Sequence, residues 1–320
     1  MGSSVDVIVV GGPEGPGMLV EQARRRIEEL EARWSRFRPD SDVSRLNARP
    51  NVPVEVHPDT VMLVAAAIEA WRDSGGAVNP TVLGALRSAG YDRNVAGIAD
   101  VVAPAASRTI IACTDIRIEG STITLPLGTG FEPGGIGKGL AADVVAAELR
   151  RSGADGACVN LGGDVSVSGV GPRGDGWTVA VEAPELARPP LALVGLAAGA
   201  IATSTTARRR WWGADGSRRH HLIDPWTGAP STTEVVQATV IAGSCQVAER
   251  HAKTIVLRGV ARAFDLLPPD CAAVRIDCDG TVASAGPIHD YLGGRALPTH
   301  IKPGVVERSS TPSTTSKGMS

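Results

Sequence analysis

The run Glu132-Pro-Gly-Gly-Ile-Gly-Lys-Gly-Leu-Ala-Ala-Asp143 constrains this chain more than any other stretch. Its glycines let backbone N–H groups come close to a ligand, and the helix-like stretch behind it favours an anion at its start. Lys138 adds a point charge suited to phosphate. The pattern reads as a cradle for a diphosphate or nucleotide. The plainer reading, a tight turn with a solvated lysine, is weaker because cations are disfavoured at the start of a helix. Two familiar phosphate loops are excluded. A Walker A loop needs glycine six positions before the lysine and Ser or Thr after it, where this chain has Glu132 and Gly139. Near the start of the chain, Gly11-Gly-Pro-Glu-Gly-Pro-Gly17 is not the G-x-G-x-x-G of a dinucleotide fold, and its prolines suit a turn.

Composition removes other classes. The 320 residues are 43% hydrophobic, enough for the core of one large domain or two subdomains. A net charge of −2 with no basic stripe argues against a nucleic-acid surface, and 3% aromatics argue against base stacking. The five cysteines (113, 158, 245, 271 and 278) form no C-x-x-C pair and read as reduced, buried thiols. No stretch reaches the roughly 20 apolar residues of a membrane helix. The opening Met-Gly-Ser-Ser-Val-Asp6 lacks the basic region and apolar core of a signal peptide. The expectation is a cytoplasmic protein, unless an export signal is missing from the sequence.

Residues 5–10 read as a strand. A helix is expected over 17–34 with Val20, Ala23, Ile27, Leu30 and Trp34 inward, and a second from Asp59 as N-cap to Gly75-Gly76. Residues 35–47 are polar. Strands are expected at 109–113 and 116–125. A helix over 140–152 follows the cradle, then strands at 157–161, 165–170, 177–182, 192–196 and 200–203. A helix over 248–258 turns Ala248, Ala252, Ile255 and Val256 inward. Strand pairs set between helices indicate an α+β fold, not a doubly wound sheet. Residues 303–320 are Ser/Thr-rich without apolar period and are expected to be a disordered tail behind one domain of about 1–300. No internal repeat is present.

Four motifs stand in order: Ser35-Arg-Phe-Arg-Pro-Asp-Ser-Asp-Val-Ser-Arg-Leu-Asn47, the cradle, Val159-Asn-Leu-Gly-Gly-Asp164, and Ala202-Thr-Ser-Thr205 with His220-His-Leu-Ile-Asp-Pro-Trp-Thr-Gly228. Gly75-Gly-Ala-Val-Asn-Pro-Thr81 lies between the first two. Together they resemble the ApbE-like family, the FAD:protein FMN transferases. The resemblance implies an α+β fold of two intertwined subdomains with FAD in the cleft between them. It also implies cleavage of the FAD diphosphate, release of AMP, transfer of FMN to a Thr or Ser of a partner protein, and use of a divalent cation, usually Mg²⁺.

The residues admit a physical reading beside that. A hydroxyl attacking a diphosphate needs a base for its proton and positive charge for the oxyanions. His221 is the candidate base, since imidazole titrates near neutrality and it matches the histidine of the family's His-x-Ile-Asp-Pro. The alternative for it is a histidine hydrogen-bonded in a turn. His220, its strand neighbour, is expected to face away. Asp224 either orients the base or caps the turn before Pro225. The resemblance sets FAD against Gly134, Gly135, Ile136, Gly137, Lys138, Asn160, Gly162, Gly163, Asp164, Ser204 and Thr205, and the charge of Lys253 adds it as a candidate contact of the diphosphate. Thr205 stands where the family has glycine. Asp164 falls between apolar strands, where an unpaired carboxylate is costly. The arginines at 208–210 and 218–219 read as a solvated rim, with one of the first group a candidate contact for a phosphate or the partner protein.

The chain departs from the family at the metal. The family's Ala-Asp-x-x-x-Thr ligands, completed by a loop carbonyl at the position of Gly137, become Ala248-Glu-Arg-His-Ala-Lys253. Glu249 and Lys253 share a helix face. Mg²⁺ requires oxygen ligands in octahedral geometry, and an ammonium supplies none. Either Lys253 stands in the metal's place, or it makes an ordinary pair with Glu249 worth about 0.2–0.5 kcal/mol. Glu132-Pro133 also replaces the family's Asp-Leu, and Asn79 its Asp.

The expected activity is FMN transfer to an acceptor protein carrying a Ser/Asp-Gly-Ala-Thr/Ser motif. Ser152-Gly-Ala-Asp155 ends without a hydroxyl, which argues against self-modification. The alternatives are an FAD-binding protein without transfer and an FAD pyrophosphatase that releases FMN and AMP.

Overall fold

The structure, a computed structural model, describes residues 4–12, 15–91, 113–184, 189–213 and 216–301. β1 (Val5–Val10) leads into α1 (Pro16–Trp34), which starts on a proline whose missing N–H costs nothing at that position. Leu19, Ala23, Ile27, Leu30 and Trp34 form its buried stripe. Val20, expected inside, is 38% exposed, because Leu19 continues the register of the stripe. The polar segment after α1 contains α2 (Asp42–Ala48). Ser41 caps it by accepting the Ser44 N–H at 3.0 Å, while Val43 and Leu46 are buried. β2 (Val54–Glu55) precedes α3 (Pro58–Asp73). Its cap is His57, not Asp59: the His57 ring accepts the Asp59 N–H at 3.1 Å. The Asp59 carboxylate instead takes Arg26 at 2.7 Å and Arg33 at 2.6 Å, clamping α3 to α1. Gly75 and Gly76 follow the helix end, as expected. α4 (Leu83–Ser88) comes next.

Of the strand expected at 109–113, residues 109–112 lie outside the described residues and Cys113 opens a 3-10 turn, Cys113–Asp115. The strand expected at 116–125 is a hairpin, β3 (Arg117–Glu119) and β4 (Thr122–Thr124), folded at Gly120 with φ 61°. The remaining elements are α5 (Gly137–Arg151), β5 (Gly156–Leu161), β6 (Asp164–Gly169), β7 (Trp177–Val181), β8 (Ala192–Leu196), β9 (Gly199–Thr205), β10 (Arg210–Trp212), β11 (Arg218–His220), β12 (Ile223–Asp224), β13 (Ala229–Pro230), β14 (Val235–Ala242), α6 (Cys245–Arg258), β15 (Ala272–Asp277) and β16 (Val282–Ala285). The tail at 303–320 lies outside the described residues.

Seven strands form the main sheet in the order β1-β5-β6-β9-β14-β15-β16, every neighbouring pair antiparallel. This is an α+β arrangement, as the strand pairs indicated. Alternation divides the sheet into two faces. Ala157, Val159 and Leu161 of β5 pack with Ala141, Ala142 and Val145 of α5, and Ala202, Val240 and Ala273 pack with the inner face of α6. On the opposite face the β7–β8 hairpin covers Val165, Val167, Ile201 and Val274. Beside that hairpin the same face is open, and Asp6, Ile8, Cys158, Asn160 and Thr203 line the floor of a cleft.

Candidate active site

The cleft encloses about 680 Å³ and gathers residues from widely separated segments. Gly134, Gly135 and Lys138 come from the cradle, and Asn160, Gly162, Gly163 and Asp164 from the β5–β6 turn. Ser204 and Thr205 come from the end of β9, His221 from the segment after β11, and Glu249 and Lys253 from α6. Three expected residues stand apart from the lining. Ile136 is buried in the core at the start of α5, with its N–H bonded to Pro133 O and its carbonyl to Leu140 N. Gly137 lines a second, smaller hollow of about 100 Å³. Asp224 Oδ1 accepts the Trp226 N–H at 2.8 Å and so caps the turn, the second of the two roles open to it.

The cradle is built by its own carboxylate. Glu132 Oε1 accepts the Gly134 N–H at 2.9 Å, and Pro133 O accepts the Gly137 N–H at 2.8 Å, which turns the chain into α5. α5 therefore begins three residues before the expected start, and Lys138 lies in its first turn. Glu132 Oε2 pairs with Arg36 Nε at 2.5 Å. The Arg36 guanidinium stands 4.1 Å from the Phe37 ring centre and 4.9 Å from that of Tyr91.

Two glycines sit at close approaches, one to backbone and one to a side chain. A Cβ on Gly139 would lie 2.6 Å from the Cys245 carbonyl oxygen, so glycine lets α5 meet the start of α6. A Cβ on Gly135 would lie 2.6 Å from Lys253 Nζ and 3.1 Å from its Cδ, so glycine leaves the path for that side chain. Asp143 completes the junction. Its Oδ1 accepts from Ser166 Oγ at 2.9 Å and Cys245 N at 2.8 Å, and its Oδ2 from Gln246 N at 3.0 Å. Burial nonetheless pushes its carboxyl above the usual range.

Lys138 holds two buried carboxylates, Asp164 (1% exposed) and Glu249 (4% exposed); its ammonium contacts Asp164 Oδ2 and stands 3.4 Å from Glu249 Oε1. Glu249 Oε2 accepts the Gly139 N–H at 2.8 Å. Its partner is thus Lys138 and not the Lys253 one helical turn away. Lys253 makes no ion pair or hydrogen bond among the described residues. Burial lowers its pKa, while the fields of Glu132 and Glu249 raise it. Among the described residues no group of three or more His, Cys, Asp or Glu is arranged to hold a metal ion. One carboxylate already bonded on both oxygens, beside an ammonium, does not fit Mg²⁺.

Asn160 organises the β5–β6 turn: its Oδ1 accepts the Gly163 N–H at 2.8 Å and its Nδ2 donates to Asp6 at 3.0 Å. Thr205 Oγ1 donates to Val236 O and accepts the Ala207 N–H, both at 3.0 Å, closing the end of β9. His220 and His221 part as expected. The His220 ring sits 2.9 Å from Ser231 O and accepts the Leu222 N–H at 3.2 Å, while His221 lines the cleft. Burial, then the nearby Arg209 and Lys253 and more weakly His220 and Lys138, hold the His221 ring well below its ordinary value of 6.5. It is therefore a neutral base at neutral pH.

Arg36 and Tyr91 carry no role in the sequence reading, and Arg209 is one of the group read there as a rim with a candidate phosphate contact. Arg209 is a non-glycine residue at φ 52°, lining both hollows. Tyr91 stacks on Trp211 at 5.5 Å and stands 6.4 Å from His221. A lone tyrosine carries no local signal, whereas Arg36 and Asp143 lie within the motifs.

Residues 1–275 match the family model described as the ApbE family. The chain belongs to the ApbE family. It is 31% identical over 247 residues to a protein of Vibrio cholerae named FAD:protein FMN transferase, covering 75% of this chain and 73% of that one. It is 30% identical over 289 residues to a protein of the same name from Treponema pallidum, covering 83% and 79%. The fold matches the flavin transferase ApbE from Vibrio cholerae at TM-score 0.78 and 25% identity, covering 91% and 96% of the two chains. It matches the apo flavinyl transferase ApbE of Pseudomonas stutzeri at TM-score 0.79 and 26% identity, covering 93% and 95%. No helix among the described residues is long and apolar enough to cross a membrane.

Proposed function

We propose that this chain is a FAD:protein FMN transferase, which takes FMN from FAD and attaches it to a Ser or Thr of an acceptor protein. The observation that carries the reading is the position of His221, where the large cleft and the smaller hollow meet; Gly134, Lys138, Arg209 and Lys253 line both. A cleft of about 680 Å³ falls in the range of roughly 300–1,000 Å³ used for small ligands. The smaller hollow gives an acceptor hydroxyl its own approach to the same base.

His221 takes the proton of the acceptor hydroxyl as its oxygen forms a bond to the FMN phosphorus. The bond from that phosphorus to the bridging oxygen breaks, and AMP leaves with that oxygen. Neutral His221 serves as the base, and Lys253 beside the cradle faces the developing charge. Asp164 and Glu249 hold Lys138 in place. The favoured acceptor carries a Ser/Asp-Gly-Ala-Thr/Ser motif.

The test is the intact mass of such an acceptor domain after incubation with this protein and FAD. A gain of one FMN supports the reading. Free FMN and AMP with an unmodified acceptor would make the protein a hydrolase. FAD bound without turnover, beside a working family member, would make it a flavin-binding protein.

A further inference from the structure

We propose that the Lys253 ammonium takes the place of a divalent cation, so that this chain binds FAD without Mg²⁺. The inference rests on the reading above and names the source of positive charge at the diphosphate. Four observations carry it. Glu249 has both carboxylate oxygens engaged, by the Gly139 N–H and by Lys138. Lys138 is in turn committed to Asp164 as well as Glu249, so its charge is spent inside the protein. Lys253 lies four residues after Glu249 on α6, and its side chain passes so close to Gly135 that any Cβ there would meet it. Finally, Lys253 lines the cleft with no ion pair among the described residues, although its ammonium stands beside Gly135 of the cradle turn.

A cation withdrawn from water without a partner is costly. It is expected where an incoming anion completes the site. Glu132, the other carboxylate acting on Lys253, is itself paired with Arg36. An FAD diphosphate seated on the Gly134–Gly135 turn therefore meets an ammonium with three donors and no competing ligand. Gly135 belongs to the same device, since it leaves the space through which Lys253 reaches the cradle.

The experiment uses the full chain. Mg²⁺ is titrated calorimetrically into the protein with and without FAD. FAD affinity is read by flavin fluorescence in EDTA and in Mg²⁺ for the wild type, for Lys253→Met, and for the double variant Glu249→Asp with Lys253→Thr. The expected wild-type result is no saturable Mg²⁺ heat and an FAD affinity equal in both buffers. Lys253→Met should weaken FAD binding about ten- to a hundredfold in both buffers, the scale of one lost charge-assisted hydrogen bond. The double variant should gain FAD affinity on adding Mg²⁺. Saturable Mg²⁺ binding to the wild type, with FAD affinity lost in EDTA, would overturn the proposal. So would Lys253→Met binding FAD as the wild type does. The wild-type arms need no variant to fold. AMP release, scored separately, reports on the transferase reading: unchanged FAD binding in EDTA without AMP release sinks that reading and leaves the role of Lys253 standing.

Discussion

Gly139 and Glu249 are joined across the two helices beneath the cleft, the backbone N–H of one donating to the carboxylate of the other at 2.8 Å. The bond ties the first turn of α5, which carries Lys138, to the face of α6 that carries Lys253. Both lysines are thereby placed by one glycine. The family resemblance singled out the cradle and the α6 pair separately; the contact between them exists only in three dimensions.

Gly139→Ala tests that junction. The added Cβ would meet the Cys245 carbonyl at 2.6 Å, and backbone on both sides has no flexible tip to move aside. The helices must separate, at a cost of about 1–3 kcal/mol. The expected result in urea denaturation is a lower midpoint. FAD affinity falls with it, because the turn bearing Lys138 shifts. An alanine variant with unchanged midpoint and affinity would show that the helices are not locked here.

Asp143 is the second lock. Its carboxylate accepts two N–H groups at the start of α6 and the Ser166 hydroxyl. In Asp143→Asn an amide NH₂ replaces one oxygen and faces donors. One backbone donor is left unsatisfied, and stability falls by about 1–3 kcal/mol. Thermal melts of the two proteins check this.

Asp59 gives the clamp between α1 and α3. Desolvation raises its pKa, but Arg26, then Arg33 and His57, outweigh it, and the net shift is downward from 3.8. A carboxyl lowered in the folded state stabilises the fold above 3.8, and that contribution is lost as pH falls from 3.8 through the lower native value. Acid denaturation should therefore steepen below 3.8. Asp59→Asn should lose about 3 kcal/mol at neutral pH, at the low end for a broken buried pair, and flatten that acid limb. An unchanged acid limb in the variant would remove Asp59 from the account.

The helices were legible because their apolar stripes run for several turns: Ala23, Ile27, Leu30 and Trp34 of α1 lie where the periodicity puts them. The central strand β14 was not read from sequence, although it joins β9 to β15. Its burial is nearly continuous, so Val235–Ala242 shows little of the alternation that marks a half-buried strand. α2 was hidden by its polar surface, since only Val43 and Leu46 point inward with Asp42 beside them. In the site, motifs located the cradle, the β5–β6 turn and His221. Sequence left open whether Glu249 pairs with Lys253, because residues four apart in a helix always allow that pairing. The competing partner, Lys138, lies more than a hundred positions away.

His221 gives the sharpest test of the chemistry. Its ring is held well below 6.5 by burial and by Arg209 and Lys253, so the proton-free form persists well into mildly acidic solution. A base must be unprotonated to accept the acceptor proton. The rate of FMN transfer should therefore stay level as pH falls through 6.5 and decline only well below it. His221→Ala should lower kcat by about 10²–10⁴ while FAD binding changes little, the signature of a group used in the step and not in holding the substrate. An acidic limb centred at 6.5 would place the base in a water-exposed setting that this cleft does not offer. A variant that loses FAD affinity but keeps kcat would make His221 a binding residue.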